Sequence, residues 1–176
     1  MATRWPRRRG FGIQSPSDFF FVTSVVYEAL PYYAYRELQS KPCRVGAHYA
    51  TRTHRLLFRV ANYLQPDNFL EVGGGNGMSA AYIQAACRHI RPYRAGQSIG
   101  FLHIGHTDAY REAYEQYVKY VNDKSCFVIG HIHGDANRRA FWRQVVRDPR
   151  TRVCFDVFDL GIVFFDTRRY KQYYKV

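Results

Sequence analysis

The residues best suited to chemistry lie in one short run, Glu71-Val72-Gly73-Gly74-Gly75-Asn76-Gly77. Four glycines in five positions permit positive φ angles and let a ligand approach the backbone closely. The carboxylate of Glu71 precedes them at the end of an apolar stretch, where it can point into a crevice. The pattern is typical of a turn that cradles a nucleotide-like ligand, although a tight turn without a ligand can have the same composition.

The residues around this run predict the two elements that such a turn connects. Residues 68–72 are short and apolar and follow Pro66, so they predict a buried strand, and residues 79–90 predict a helix. A strand, a glycine turn and a helix together form the ligand-binding corner of a doubly wound α/β sheet. The candidate cofactor-binding residues are therefore Glu71, Gly73, Gly75, Asn76 and Gly77.

The composition predicts a single globular domain over residues 1–176. We expect a helical extension at 1–50 and an α/β core at 51–176, because 47% of the 176 residues are apolar. No run approaches the length of a transmembrane helix and no signal peptide is recognisable, so a cytoplasmic location without membrane contact is expected. The four cysteines are scattered and indicate reduced thiols.

The formal net charge of +12 allows two interpretations. A basic surface can attract nucleic acid or another polyanion, or it can simply keep the protein solvated. Four arginines have the spacing of one exposed helix face: Arg138, Arg139, Arg143 and Arg147. No aromatic-plus-basic motif for base stacking is present, which favours the solvated surface.

The first third of the chain predicts helices. Ser15-Pro16-Ser17-Asp18 is a strong helix start, and the helix should run to Leu30 before Pro31. Three tyrosines follow, which could line a ligand pocket but more often pack in an amphipathic core: Tyr32, Tyr33 and Tyr35. Another helix should start at Thr51 or Thr53 and end near Leu64.

The rest of the chain alternates between strands and helices. Apolar runs predict strands at 101–104 and 126–129, and amphipathic spacing predicts helices at 108–121 and from Asp135 or Asn137 to 147. Two β-rich runs, 153–158 and 161–165, predict a hairpin. The sequence thus predicts a mostly parallel sheet with an antiparallel hairpin at one edge.

The pattern Glu-x-Gly-x-Gly-x-Gly at 71–77 resembles the first motif of class I S-adenosylmethionine-dependent methyltransferases. Three further segments resemble the small O-methyltransferases of that class: Gln14-Ser15-Pro16, residues 55–63, and Gly161 to Phe165. The resemblance covers nearly the whole chain in two blocks. It implies the Rossmann-like methyltransferase fold and S-adenosylmethionine as the cofactor, with its methionine part near the glycines.

The chain departs from this family where the ribose-binding part is expected. A β-α-β unit needs about 30 residues, but only nine residues, 91–99, separate the expected helix end from Gly100. Compared with this family, two central β-α units are therefore expected to be deleted, and 91–99 contains no acid to bind the ribose hydroxyls. The first strand would become a sheet edge, so we predict a homodimer joined there.

The acids of the family are also replaced at two later strands. Ile-Asp-Gly-x-His corresponds here to Ile104-Gly105-His106-Thr107, and Asp-Asp-Ile-His corresponds to Gly130-His131-Ile132-His133. A magnesium site is therefore not expected, and no metal is predicted. His106, His131 and His133 are the catalytic candidates, as a base or in a zinc-like site beside His103, with His131 and His133 on one face if the strand continues.

Two functions from different classes follow. The first is an S-adenosylmethionine-dependent methyltransferase homologue with impaired or lost catalysis and weak or absent cofactor binding. The alternative is a non-catalytic binding or assembly module on the same scaffold, which could bind nucleic acid or another polyanion through its basic surface.

Overall fold

The computed structural model describes residues 10–39, 47–74 and 77–176, and the chain divides into two compact units. The helical unit comprises the residues up to Gln65 together with Gly74–Ile90. The sheet unit comprises Pro66–Gly73 and Arg91–Val176. Within the described ranges, no helix has the length and apolar character needed to cross a membrane.

The described part of the helical unit contains four α-helices: α1 at Pro16–Phe21, α2 at Tyr33–Gln39, α3 at Ala47–Leu64 and α4 at Met78–Ala86. Ser15 caps α1 as predicted, because its hydroxyl accepts a hydrogen bond from the Asp18 amide at 3.4 Å. The predicted start of α3 at Thr51 or Thr53 is wrong, since the helix begins at Ala47.

The first helical segment ends four residues before the predicted position at Leu30. A π-helical turn at Val22–Val26 follows α1 and is the last helical part of this segment. The Arg59 guanidinium donates hydrogen bonds to the carbonyls of Val25 at 2.6 Å and Val26 at 2.9 Å. These carbonyls are therefore satisfied by a side chain, which allows the helix to stop there.

The apolar face of α3 forms the centre of the helical unit, since Leu57, Val60 and Ala61 have no exposed surface. A second cluster contains Tyr35, Leu38, Phe58, Met78 and Tyr82. Helix α4 ends at Ala86 rather than at residue 90, because Cys87 has an extended backbone with φ −136°.

The sheet unit contains seven strands: β1 Asn68–Val72, β2 Arg91–Pro92, β3 Phe101–Ile104, β4 Cys126–Gly130, β5 Val153–Val157, β6 Leu160–Phe164 and β7 Gln172–Lys175. Their order is β2-β1-β3-β4-β6-β5-β7. Only β6 runs antiparallel to its neighbours. The prediction of a mostly parallel sheet with an antiparallel β5–β6 hairpin is confirmed.

Both predicted edges of the sheet are wrong. We expected β1 to be an edge, but β2 lies outside it and pairs Arg91 with Asn68 and Pro92 with Phe69. A two-residue strand therefore remains in the short 91–99 connector. We expected the hairpin to close the other edge, but β7 lies outside β5 and pairs with it in parallel.

Two helices pack in the sheet unit, α5 at Tyr110–Tyr117 with a 3₁₀ turn at Val118–Tyr120, and α6 at Ala136–Arg147. Tyr110, Tyr114 and Phe141 pack edge to face in its core. Asp135 caps α6 as predicted, accepting from the Arg138 amide at 2.9 Å. The predicted exposure of Arg138 is wrong, since only 6% of this residue is exposed.

The cysteine side chains at 87, 126 and 154 are buried free thiols. Burial raises the pKa of the Cys154 thiol to about 11 and also raises that of Cys126. Both thiols therefore stay protonated at neutral pH, in agreement with a packing role. Cys43 lies outside the described residues.

Candidate functional site

The carboxyl ends of β1, β3 and β4 meet at one edge of the sheet. These strands are parallel neighbours, with Val72 beside Ile104 and Ile104 beside Ile129. The loops that follow them start at Gly73, Gly105 and His131. This is the edge at which α/β sheets bind ligands, and we call it the carboxyl edge.

Glu71 has a histidine partner in the neighbouring strand. Its register partner is His103, and the Oε1–Nδ1 distance is 3.1 Å. The side chains are 12% exposed for Glu71 and 5% for His103. The carboxylate of this candidate cofactor contact is thus hydrogen-bonded within the sheet, to a histidine that is not among the three catalytic candidates.

Gly73 is required by its backbone and by a close neighbour. Its φ is +77°, and a Cβ built there would lie 2.6 Å from the Cβ of Thr107. Any side chain at this position would therefore be strained and would clash. The loop after β3 fills the space next to this glycine.

Gly77 differs from Gly73, although its φ of +69° is similar. It is the N-cap of α4, and a Cβ there would meet no described atom within 4 Å. Open space next to a helix N-terminus can receive an anionic or polar group. Gly75 and Asn76, the other two candidates of the glycine run, lie outside the described residues.

His131 and His133 do not share a strand face, because the strand does not continue to them as that expectation required. Strand β4 ends at Gly130, and His131 has φ +56°, in the left-handed region. His131 Nδ1 lies 3.2 Å from Asp159 Oδ2, and its ring meets that of His106 edge to face at a centroid distance of 4.6 Å. The left-handed residue turns the chain, so the two histidines have different partners.

His133 is oriented by a buried carboxylate. Its Nε2 lies 2.9 and 3.0 Å from the two carboxylate oxygens of Asp156, a residue that is 1% exposed. The Tyr173 hydroxyl donates to the same carboxylate at 3.1 Å. Burial and the neighbouring Asp156 raise the pKa of Tyr173 to about 12, so its phenol remains a donor at neutral pH.

This arrangement can accept a proton. A carboxylate that holds one ring nitrogen of a histidine fixes the orientation of the imidazole, as a positioned general base requires. The His133 side chain is 32% exposed, so its ring can be reached from solvent. Within the described residues, no group of three or more His, Cys, Asp or Glu side chains could hold a metal ion.

Sequence reasoning missed Asp156, Asp159 and Tyr173. The only signal was an acid inside the apolar strand Val153–Val157, since a carboxylate in such a strand needs a buried partner. The partner cannot be identified from the sequence, because His133 is 23 residues away.

Arg138 contacts both the end of β4 and the loop after β3 at the carboxyl edge. Its guanidinium donates to the Gly130 carbonyl at 3.4 Å and to the Thr107 carbonyl at 2.5 Å. Its Cζ also lies 4.2 Å from the centre of the Tyr110 ring, a cation–π distance. The chain segments that follow β3 and β4 are therefore held in fixed positions.

Several cofactor contacts that the resemblance implies are altered in the sheet unit. The 91–99 connector contains no acid for the ribose hydroxyls, and Glu71 is hydrogen-bonded to His103. Thr107 occupies the space next to Gly73. The polar groups of the carboxyl edge are thus mainly satisfied by one another rather than directed at a ligand.

No family model and no curated protein match this sequence. Solved structures do match in fold, among them the following three. Cofactor-bound Rv0187 from MTB has a TM-score of 0.51 and 14% identity, covering 76% of this chain and 87% of that one. A methyltransferase from Geobacter sulfurreducens has a TM-score of 0.50 and 14% identity, and the match covers 80% of this chain and 93% of that one. An O-methyltransferase from Bacillus cereus in complex with SAH has a TM-score of 0.51 and 12% identity, and the match covers 81% of this chain and 94% of that one.

This chain shares the fold of these three structures, two of which are methyltransferases. The expected Rossmann-like methyltransferase architecture is thereby confirmed. At identities of 12–14% the likeness concerns the fold, and activity has to be argued from the site.

Proposed function

We propose that this chain is an S-adenosylmethionine-dependent methyltransferase homologue with impaired or lost catalysis. The observation that carries the proposal is the pairing of three carboxylates with histidines in a methyltransferase fold. The pairs are Glu71–His103, Asp159–His131 and Asp156–His133. Carboxylates committed in this way are poor contacts for a ribose or a divalent cation.

The proposal assigns different roles to the two groups of candidate residues. Glu71, Gly73, Gly75, Asn76 and Gly77 are proposed to retain weak contact with the cofactor. A cofactor contact that displaces the hydrogen bond between Glu71 and His103 breaks a mostly buried pair, which costs about 3 kcal/mol or more. Such a cost lowers cofactor affinity by about two orders of magnitude.

Among the histidines, His133 is the proposed proton acceptor, because Asp156 orients its ring. His106 and His131 are proposed to have a lesser role, since their rings contact each other. The role proposed for His133 is removal of a proton from the methyl acceptor.

Calorimetry with S-adenosylmethionine and S-adenosylhomocysteine tests the proposal. We expect dissociation constants of about 0.1–1 mM for the wild type, equivalent to about −4 to −5.5 kcal/mol. Glu71→Gln should weaken binding further, whereas Glu115→Gln, an exposed acid on α5, should not. Micromolar binding that Glu71→Gln abolishes would indicate an intact site and contradict impairment. Absence of any heat would reject cofactor binding.

The basic face of α6 supports the alternative, a binding module for nucleic acid or another polyanion. Arg143 and Arg147 are exposed and donate no hydrogen bond to any described residue. Binding of single-stranded RNA should then weaken steeply with salt, and Arg143→Gln should reduce the salt dependence. Equal binding by wild type and the variant would reject this surface as the binding site.

The predicted homodimer through the β1 side of the sheet remains a proposal. Strand β2 pairs with only the first two residues of β1, so a partner strand could still approach residues 70–72. Light scattering should then give twice the monomer mass of 20.7 kDa. A monomer mass at high concentration would count against the dimer.

A further inference from the structure

A cavity of about 490 Å³ lies within the helical unit, lined by the loop at residues 28–32 together with α2 and α3. Its lining includes Glu28, Tyr32, Tyr35, Arg36, Arg55 and Arg59. Cavities of 300–1,000 Å³ are typical of small-molecule sites. We call it the Tyr–Arg cavity, and none of its residues belongs to the site proposed above.

The residues that line the Tyr–Arg cavity carry an excess of positive formal charge. Three guanidinium groups line it and Glu28 is the one acid among its lining residues, which gives a formal charge of +2. The Tyr32 hydroxyl donates to the Glu28 carboxylate at 2.6 Å. Burial, followed by this hydrogen bond, raises the pKa of Tyr32 to about 12, so the phenol stays neutral and does not offset the arginines.

Two of the arginines are held in place before any ligand arrives. Arg59 donates through Nε and Nη2 to the carbonyls of Val25 and Val26. Arg55 lies over the ring of Tyr35, with its Cζ 5.1 Å from the ring centre. A guanidinium fixed in this way loses little conformational entropy when it binds an anion.

Arg36 is the third arginine, and it is exposed. It forms no hydrogen bond or ion pair with the part of the chain that the structure describes. Its charge is therefore available to a ligand at small cost.

The cavity also presents aromatic and apolar surface. The rings of Tyr32 and Tyr35 lie 5.3 Å apart, and Leu30 and Pro31 complete the wall. Leu30 is 67% exposed and Tyr33 is 98% exposed. Large exposed side chains next to a cavity are typical of a binding surface, and tyrosine faces favour a planar ring.

We propose that the Tyr–Arg cavity binds a small phosphate monoester that carries a planar ring. A phosphate monoester has a charge near −2 at neutral pH, which matches the cavity charge, and guanidinium groups bind phosphate oxygens in a bidentate manner. The ring packs against tyrosine. A nucleoside monophosphate and an aryl phosphate share this chemistry, and the test separates them.

Calorimetry with AMP and phenyl phosphate, in the presence of excess S-adenosylhomocysteine, tests the proposal. At least one of the two should bind about tenfold more tightly than inorganic phosphate or adenosine, a difference of about 1.4 kcal/mol. AMP binding alone would identify a nucleotide site, and binding of both would identify a general aryl phosphate site. Inorganic phosphate binding as tightly as the esters, or no binding of either ester, would overturn the proposal.

Matched variants place the binding in the cavity. Arg36→Gln should weaken binding of the preferred ester at least about fivefold. Arg88→Gln removes an equally exposed arginine of the same unit outside the cavity and should leave affinity unchanged. Equal losses in both variants would indicate nonspecific attraction and overturn the proposal. Because this test uses no glycine-run residue and no turnover, its failure is independent of the proposed methyltransferase ancestry.

Discussion

The carboxyl edge of the sheet unit contains acidic side chains that are paired with histidines, whereas the lining of the Tyr–Arg cavity in the helical unit contains more basic than acidic side chains. At the carboxyl edge Glu71, Asp156 and Asp159 each have a histidine partner. In the cavity three arginines face a single acid. A charge that is paired inside the protein contributes to stability and orientation, whereas an excess of one sign among the residues that line a cavity can attract a ligand. Substitutions should therefore affect stability in the first region and binding in the second.

The largest effect is expected for Asp156→Ala. Asp156 accepts hydrogen bonds from His133 and Tyr173, and its removal leaves both groups without this partner. The free energy of unfolding, measured by urea denaturation, should fall by about 3 kcal/mol. Asp159→Ala is the control, because its side chain is 23% exposed, and should cost about 1 kcal/mol or less. Similar losses of unfolding free energy in the two variants would contradict the expected difference between a buried and a partly exposed carboxylate.

Substitutions at Gly73 and Gly77 distinguish the cost of a steric clash from the cost of backbone strain. Both have positive φ, but only Gly73 has a close neighbour at its Cβ position. Gly73→Ala should therefore cost about 3 kcal/mol, from left-handed strain and the clash with Thr107. Gly77→Ala should cost about 1 kcal/mol from strain alone. Thermal unfolding of both variants measures the difference, and equal shifts would show that Thr107 moves aside.

Acid should destabilise the sheet unit through Asp148. Burial alone would raise the pKa of this carboxyl, but hydrogen bonds from Arg150 and Tyr114 outweigh it and lower the pKa. Its contribution to stability is present above the unfolded pKa and is lost as pH falls through the folded value. Between about pH 5 and pH 2 the free energy of unfolding should fall less steeply in Asp148→Asn than in wild type. An unchanged slope would contradict the shift.

The smallest effect is expected for Arg36→Gln. This arginine is exposed and makes no ion pair within the described ranges. The free energy of unfolding should change by less than about 0.5 kcal/mol, although ligand affinity falls. A larger loss in urea denaturation would mean that the cavity arginine has a structural role, and the contrast between the two regions would not hold.

The sequence predicted the central strands well because their signals are local. Residues 101–104 and 126–130 are apolar runs next to glycine, and both are strands. The α6 cap at Asp135 is likewise local. Such features depend on neighbours within a few residues.

The features that sequence reasoning missed depend on distant partners. Strand β7 is half-exposed and becomes a strand because β5 provides its hydrogen bonds. The first helical segment stops at Val26 because of Arg59, which is 34 residues from Val25. Glu71 and His103 are 32 residues apart, and only their register brings them together. The roles of Gly75 and Asn76 stay predictions.

The division of the chain between the two units also sets an order for synthesis. The helical unit needs no residue beyond Ile90, whereas the sheet unit requires β6 and β7, close to residue 175. On the ribosome the helical unit can therefore become compact first. Strand β1 can form its sheet hydrogen bonds only after β2 and β3 have been synthesised. Late pairing of this kind makes the nascent sheet strands the segments most in need of a chaperone.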